Sequence, residues 1–120
     1  MYVPISAWFL AFVVTLVVEA PIVVTLLPRG DLLRLGIVVT FANLATHLAL
    51  WYVFTQLLAV GTWQYLLVGE AWAVLGEAAV YWAAVSALSL RRALAVAVVA
   101  NVASFAAGRL LVAFWPHALG

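Results

Sequence analysis

Polar side chains along the 120-residue chain fall in short clusters separated by long oily runs. Four runs, at about 3–27, 35–60, 65–88 and 92–115, each reach the roughly 20 residues a helix needs to cross a hydrocarbon core at about 1.5 Å per residue. The connectors are PRGDLLR (28–34), a short GTWQ near 61–64 and SLRR (89–92), which leave no room for a soluble domain. The pattern predicts an all-α integral membrane protein: one domain, four transmembrane helices, a compact bundle. The apolar start, MYVPISAWFL, has no basic region, so the first run is expected to stay as a helix rather than be removed as a signal peptide.

The polar residues inside the runs repeat. Asn43 and Asn101, the only asparagines, lie 58 positions apart, and so do Glu19 and Glu77. The same gapless offset lays Arg34 over Arg92, Thr46 over Ser104, FANLAT over VANVAS, and VVEAPIV over LGEAAVY. Matching alanines and valines are expected by chance in so apolar a chain; the rare residues carry the argument. Each half reads Glu, 23 residues, then Asn, with an Arg nine before the Asn and a hydroxyl three after it. We therefore expect two parallel-related helical-hairpin repeats, about 1–58 and 59–116, with a pseudo-twofold axis along the membrane normal, as in parallel-repeat transporters.

Counted from the expected helix ends, Glu19 lies roughly 12 Å deep, Asn43 and Asn101 roughly 13 Å and Glu77 roughly 18 Å, which puts all four in one layer near the midplane. A carboxylate there costs about 2.5–3.5 kcal/mol even on the lenient insertion scale, so these groups should face one another inside the bundle. Asn43, Thr46 and His47 share one helical face, as do Asn101, Ser104 and Gly108. Gly69, Gly76 and Ala83 beside the line of Glu70 and Glu77, and Ala100, Ser104 and Gly108, are small surfaces suited to close helix packing. Two carboxylates facing each other in low dielectric cannot both stay ionised without compensation: they share a proton, or a cation sits between them. Asparagine offers both a carbonyl ligand and an amide donor, so Glu19, Glu77, Asn43 and Asn101, supported by Thr46 and Ser104, suit either state.

Among the polar residues without a polar counterpart under the offset, three bear on the chemistry: His47, Glu70 and Arg109. His47 matches Phe105; with Glu19 and Glu77 it would give a nitrogen and oxygen ligand set suited to a divalent Zn, Mn or Fe ion, although neither HExxH nor a Glu-x-x-His pair is present. Glu70 and Arg109 match Phe12 and Trp51, and both are expected near the outer boundary, as an ion pair or as two side chains reaching for water. Pro21 is expected to kink the first helix and free a carbonyl near Glu19.

Composition excludes several classes. At 70% hydrophobic and 8% charged residues, with a mean hydropathy of +1.28, the chain lies far from soluble domains. A net charge of +1 offers no surface for nucleic acid, and the lack of cysteine and lysine removes thiolate and Schiff-base chemistry. All of Arg29, Arg34, Arg91 and Arg92 lie in or beside the first and third connectors, which places those loops (28–34 and 89–92) in the cytoplasm and both termini outside, in a bacterial-type inner membrane. Tyr2, Trp8, Trp63, Tyr65 and Trp115 would then form the outer aromatic belt, and Tyr81 and Trp82 belong near the inner one. The reading that follows is a small membrane transporter or channel component binding a proton or cation at the buried Glu/Asn/His cluster. The alternatives are an intramembrane metal-binding protein or metal-dependent hydrolase using Glu19, His47 and Glu77, and a non-catalytic subunit with a structural polar network. Four helices are few to enclose a pathway, so a homodimer or a larger membrane complex joins the lipid bilayer among the expected partners.

Overall fold

In the computed structural model, which describes residues 4–28 and 30–117, three of the four helices begin where a side chain supplies a cap, and the first begins after Pro4. Helix α1 spans Ile5–Leu26, α2 Leu32–Leu57, α3 Trp63–Ala84 and α4 Leu90–Phe114. Asp31 accepts the Leu33 amide, Thr62 the Tyr65 amide and Ser89 the Arg92 amide, each answering an amide left open at a helix start. These caps start α2, α3 and α4 two or three residues before the expected positions. At the other end α3 stops at Ala84, short of the expected 88, in a turn with Ala87 at φ 58. Tyr2 and Arg29, which figure in the expected belt and in the charge asymmetry, lie outside the described residues.

All four helices are long and apolar enough to cross a membrane. They form a ring in which α1 packs on α2 and α4, and α3 on the same two. The bundle is 41 Å long, close to the roughly 40–45 Å of a bilayer with its headgroups. Helices α1 and α3 are both 22 residues long, and their starts, Ile5 and Trp63, are 58 positions apart, as are the starts of α2 and α4. Helix α1 runs unbroken through Pro21.

The buried apolar core gathers at one end. Val23 of α1 and Leu27 just after it, Leu35 and Val39 of α2, Tyr81 of α3 and Ala93, Val96 and Ala97 of α4 belong to one cluster, all on the side nearest the first and third connectors. Tyr81, expected in a belt, is fully buried, whereas its neighbour Trp82 is exposed. Two arginines tie this end together across the hairpins. Arg34 of α2 donates to the Ala84 carbonyl at the end of α3 (3.2 Å), and Arg92 of α4 to the Leu26 carbonyl at the end of α1 (2.9 Å). Both guanidinium groups answer open carbonyls at the negative end of a helix dipole.

The other end is built differently. Leu50–Phe54 of α2 is a π-helical segment, whose wider turn loosens the ladder of backbone bonds. Side chains of α3 bond to the backbone at and before it: Tyr65 donates to Leu50 O at 3.3 Å, and Trp72 to Thr46 O, one turn earlier, at 3.2 Å. Helix α3 comes close enough to do so because Gly69 and Gly76 face α2; a Cβ at Gly69 would meet Leu50 Cδ1 at 2.6 Å, and one at Gly76 would meet Thr46 Cγ2 at 2.8 Å.

Candidate functional site

Six polar residues meet where the packed end gives way to the looser one. Glu19, Asn43, Thr46, Glu77, Asn101 and Ser104 are all buried, with Glu19 and Asn43 at 0% exposure and Glu77 at 1%. Each glutamate stands seven residues before the end of its helix, and each asparagine eleven after the start of its own. The difference in depth expected between Glu19 and Glu77 disappears because α3 ends at Ala84. The two glutamates therefore share one level, about 10.5 Å from their helix ends at seven residues of about 1.5 Å each, and the two asparagines share another, about 16.5 Å from theirs.

The bonds cross between the hairpins. Thr46 of the first donates to Glu77 Oε1 of the second at 3.3 Å, and Ser104 of the second to Glu19 Oε1 of the first at 2.5 Å. Asn101 donates to Glu77 Oε2 at 2.7 Å and, with its second amide hydrogen, to the Ala97 carbonyl at 2.9 Å. Asn43 likewise donates to the Val39 carbonyl at 3.2 Å and lies beside Glu19. The two carboxyl groups are within reach of each other. Their side-chain donors are hydroxyls and one amide; no arginine or histidine among the described residues bonds to either.

Each hydroxyl has a second acceptor close by. Thr46 Oγ1 lies 3.0 Å from the Ala42 carbonyl and Ser104 Oγ 3.1 Å from the Asn101 carbonyl. A hydroxyl with one hydrogen and two lone pairs can donate to a carboxylate, or turn to the backbone and accept from a carboxylic acid. Among the described residues three buried side-chain oxygens stand without a hydrogen-bond partner: Glu19 Oε2, Asn43 Oδ1 and the Tyr81 hydroxyl. Glu19 Oε2 and Asn43 Oδ1 are acceptors, of the kind that a donor or a cation satisfies.

A cavity of about 450 Å³ leads from the second connector to this layer. It starts at Val60 and Gly61, passes Trp51, Tyr65, Glu70 and Arg109, and ends on Thr46, Glu77, Asn101 and Ser104. Towards the opposite end Tyr81, Val23, Val39 and Ala97 close the bundle. The polar layer thus lies between this cavity on the side of the second connector and the packed core on the other.

His47 borders the cavity but turns from the carboxyl pair. Its Nε2 lies 3.4 Å from Thr15 Oγ1, its ring stacks on Trp51 at 6.1 Å and meets the edge of Phe12 at 5.9 Å, and Nδ1 has no partner. Among the described residues no three His, Asp or Glu side chains are grouped to hold a metal ion. Glu70 and Arg109 reach the same cavity, yet the described residues hold no hydrogen bond or ion pair between them; Arg109 is exposed, its long stem carrying the charge to the rim. His117 is exposed and Asp31 serves as the α2 cap.

Sequence reasoning found all six members of the layer and missed their pairing. It also missed Tyr81 beneath the pair, the two arginine clamps, and the part Trp72 and Tyr65 play at the π-helical segment. No family model, curated protein or solved structure matches this chain.

Proposed function

We propose that this protein is a small membrane transporter or channel component that binds a proton or a cation between Glu19 and Glu77. The observation that carries the reading is the crossed pair of buried carboxyl groups, held by Ser104, Thr46 and Asn101 with no basic side chain among the bonds, at the closed end of a cavity. Two adjacent carboxylates out of water need a positive charge. Hydroxyls with an alternative backbone acceptor let the site gain and lose that charge without breaking its packing. A purely structural network is a weaker account, since paired amides and hydroxyls fix helix register at smaller cost than two glutamates.

The halves act as duplicated hairpins around a pseudo-twofold axis. This reading is supported by the common offset of 58 in the helix starts, in the crossed bonds of Thr46 and Ser104, and in the clamps from Arg34 and Arg92. The arginine-bearing loops face the cytoplasm, so the cavity opens to the outside.

The test uses purified protein reconstituted in vesicles containing a pH-sensitive dye, with proton, Na⁺, K⁺ or Mg²⁺ gradients imposed in turn. Wild-type protein is expected to carry protons or one of these cations, and the Glu19→Gln, Glu77→Gln double variant to lose that movement while unfolding at a similar temperature. Equal movement through both would overturn the proposal.

A further inference from the structure

The cavity holds far more space than the ion site needs. A volume of about 450 Å³ compares with about 30 Å³ for one water and falls within the roughly 300–1,000 Å³ of small-molecule sites. Its lining has a chemical bias. Trp51, Tyr65 and Phe105 present aromatic rings, and Glu70 and Glu77 present carboxyl groups two helical turns apart on one face of α3. Tyr65 is pinned by its hydroxyl to the Leu50 carbonyl, and Trp51 is stacked on His47, so two of the three rings are held in place before any ligand arrives. The one arginine in the wall, Arg109, is exposed, and the imidazole of His47 is engaged by Thr15 and Trp51.

Glu70 is the residue for which the ion site has no use. It lies two turns from Glu77, about 10.5 Å along the helix at about 1.5 Å per residue, and no side chain among the described residues bonds to it. A half-buried carboxyl group without a bonded partner, facing a cavity lined by aromatic rings, is the arrangement that attracts an ammonium group with an apolar body: the carboxylate supplies the charge and the ring faces supply both cation–π attraction and apolar contact.

We propose that the cavity binds a small organic cation, an amine with an aromatic or aliphatic body, with its charged group at Glu70 and its body against Trp51, Tyr65 and Phe105. This inference rests on the reading of Glu19 and Glu77 as the ion site, and it names the cargo that the ion would drive or exchange with. From Glu70 the next carboxyl group, Glu77 of the ion site, lies about 10.5 Å further along α3, so cation and ion would occupy two stations lining one cavity.

The experiment measures binding to the purified protein by calorimetry, with benzyltrimethylammonium as cationic probe and benzylsulfonate as an anion of similar shape. Wild-type protein is expected to bind the cation at least tenfold more tightly than the anion. Glu70→Gln is expected to weaken cation binding at least tenfold, and Glu70→Asp to keep most of it. Equal binding of the two probes, no binding of the cation, or undiminished binding by Glu70→Gln would overturn the proposal; the probe comparison on the wild type decides it even where a variant fails to fold. Ion movement by the wild type without probe reports on Glu19 and Glu77 separately. Intact ion movement without cation binding removes the cargo alone, and cation binding without ion movement removes the ion site alone.

Discussion

Ser104 and Thr46 bring the same hydroxyl to opposite carboxyl groups, but the two glutamates do not depend on them equally. Glu77 accepts from both Thr46 and Asn101, whereas among the described residues Glu19 accepts a hydroxyl hydrogen bond from Ser104 alone, with Asn43 and Glu77 beside it. Ser104→Ala should therefore destabilise by about 1–3 kcal/mol, the usual result of leaving a buried polar group unbonded, and Thr46→Val by less. Denaturant unfolding in detergent micelles checks the order; the reverse order would mean that Glu19 has a donor elsewhere. Gly76 has its own consequence. Its alanine variant pushes a methyl to 2.8 Å from Thr46 Cγ2, on a side chain already fixed by the Oγ1 bonds, so Gly76→Ala should cost about 1–3 kcal/mol. A methyl at Gly36 would meet nothing within 4 Å, and Gly36→Ala should be neutral or stabilise by up to about 1 kcal/mol. Similar losses in both would refute the close approach of α2 and α3.

At the level of elements, the arginine clamps join one hairpin to the other. Removing the Arg92 guanidinium opens the Leu26 carbonyl and takes a positive charge from the end of α1; Arg92→Gln should lower stability by about 1 kcal/mol, and Arg34→Gln by a similar amount at the end of α3. Thermal unfolding of the single and double variants checks this. The clamps were visible in the sequence only as two aligned arginines, because spacing along a chain does not say which carbonyl across the bundle a long side chain will reach. The helix bodies were legible from hydropathy alone. Their starts were misjudged where LLR after Asp31 and LRR after Ser89 looked like loop, although an Asp or Ser before a leucine is the capping signal that begins a helix. The π-helical segment gave no sign, since LWYVF reads as ordinary apolar helix and its looser turn is sustained by Tyr65 and Trp72 from another element.

Across the whole molecule, the rare residues were more informative than the common ones. Glu19, Asn43, Glu77 and Asn101 were expected to meet because polar groups in an apolar bundle have nowhere else to go, and they do meet. His47 was expected among them by helical phase, but Thr15, Trp51 and Phe12 offered its ring a nearer environment. The cavity was not legible, because its lining comes from all four helices and the second connector, and their packing is not written in the spacing along the chain. The proposed topology can be read directly since the chain has no cysteine. A cysteine introduced at Gly61 in the second connector should react with a membrane-impermeant thiol reagent added outside intact cells, and one at Ala87 in the third only after the membrane is opened; the opposite result would invert the proposed orientation.

The central claim is that a positive charge, proton or cation, resides between Glu19 and Glu77. Infrared spectroscopy of protein labelled with ¹³C-glutamate tests it most directly, read together with analysis for bound metal and alkali ions. The account predicts either a protonated carboxyl band at neutral pH or a stoichiometric bound cation, and the loss of either in the Glu19→Gln, Glu77→Gln double variant. Two ionised carboxylates with no bound cation, or a spectrum and ion content that the double variant leaves unchanged, would contradict it.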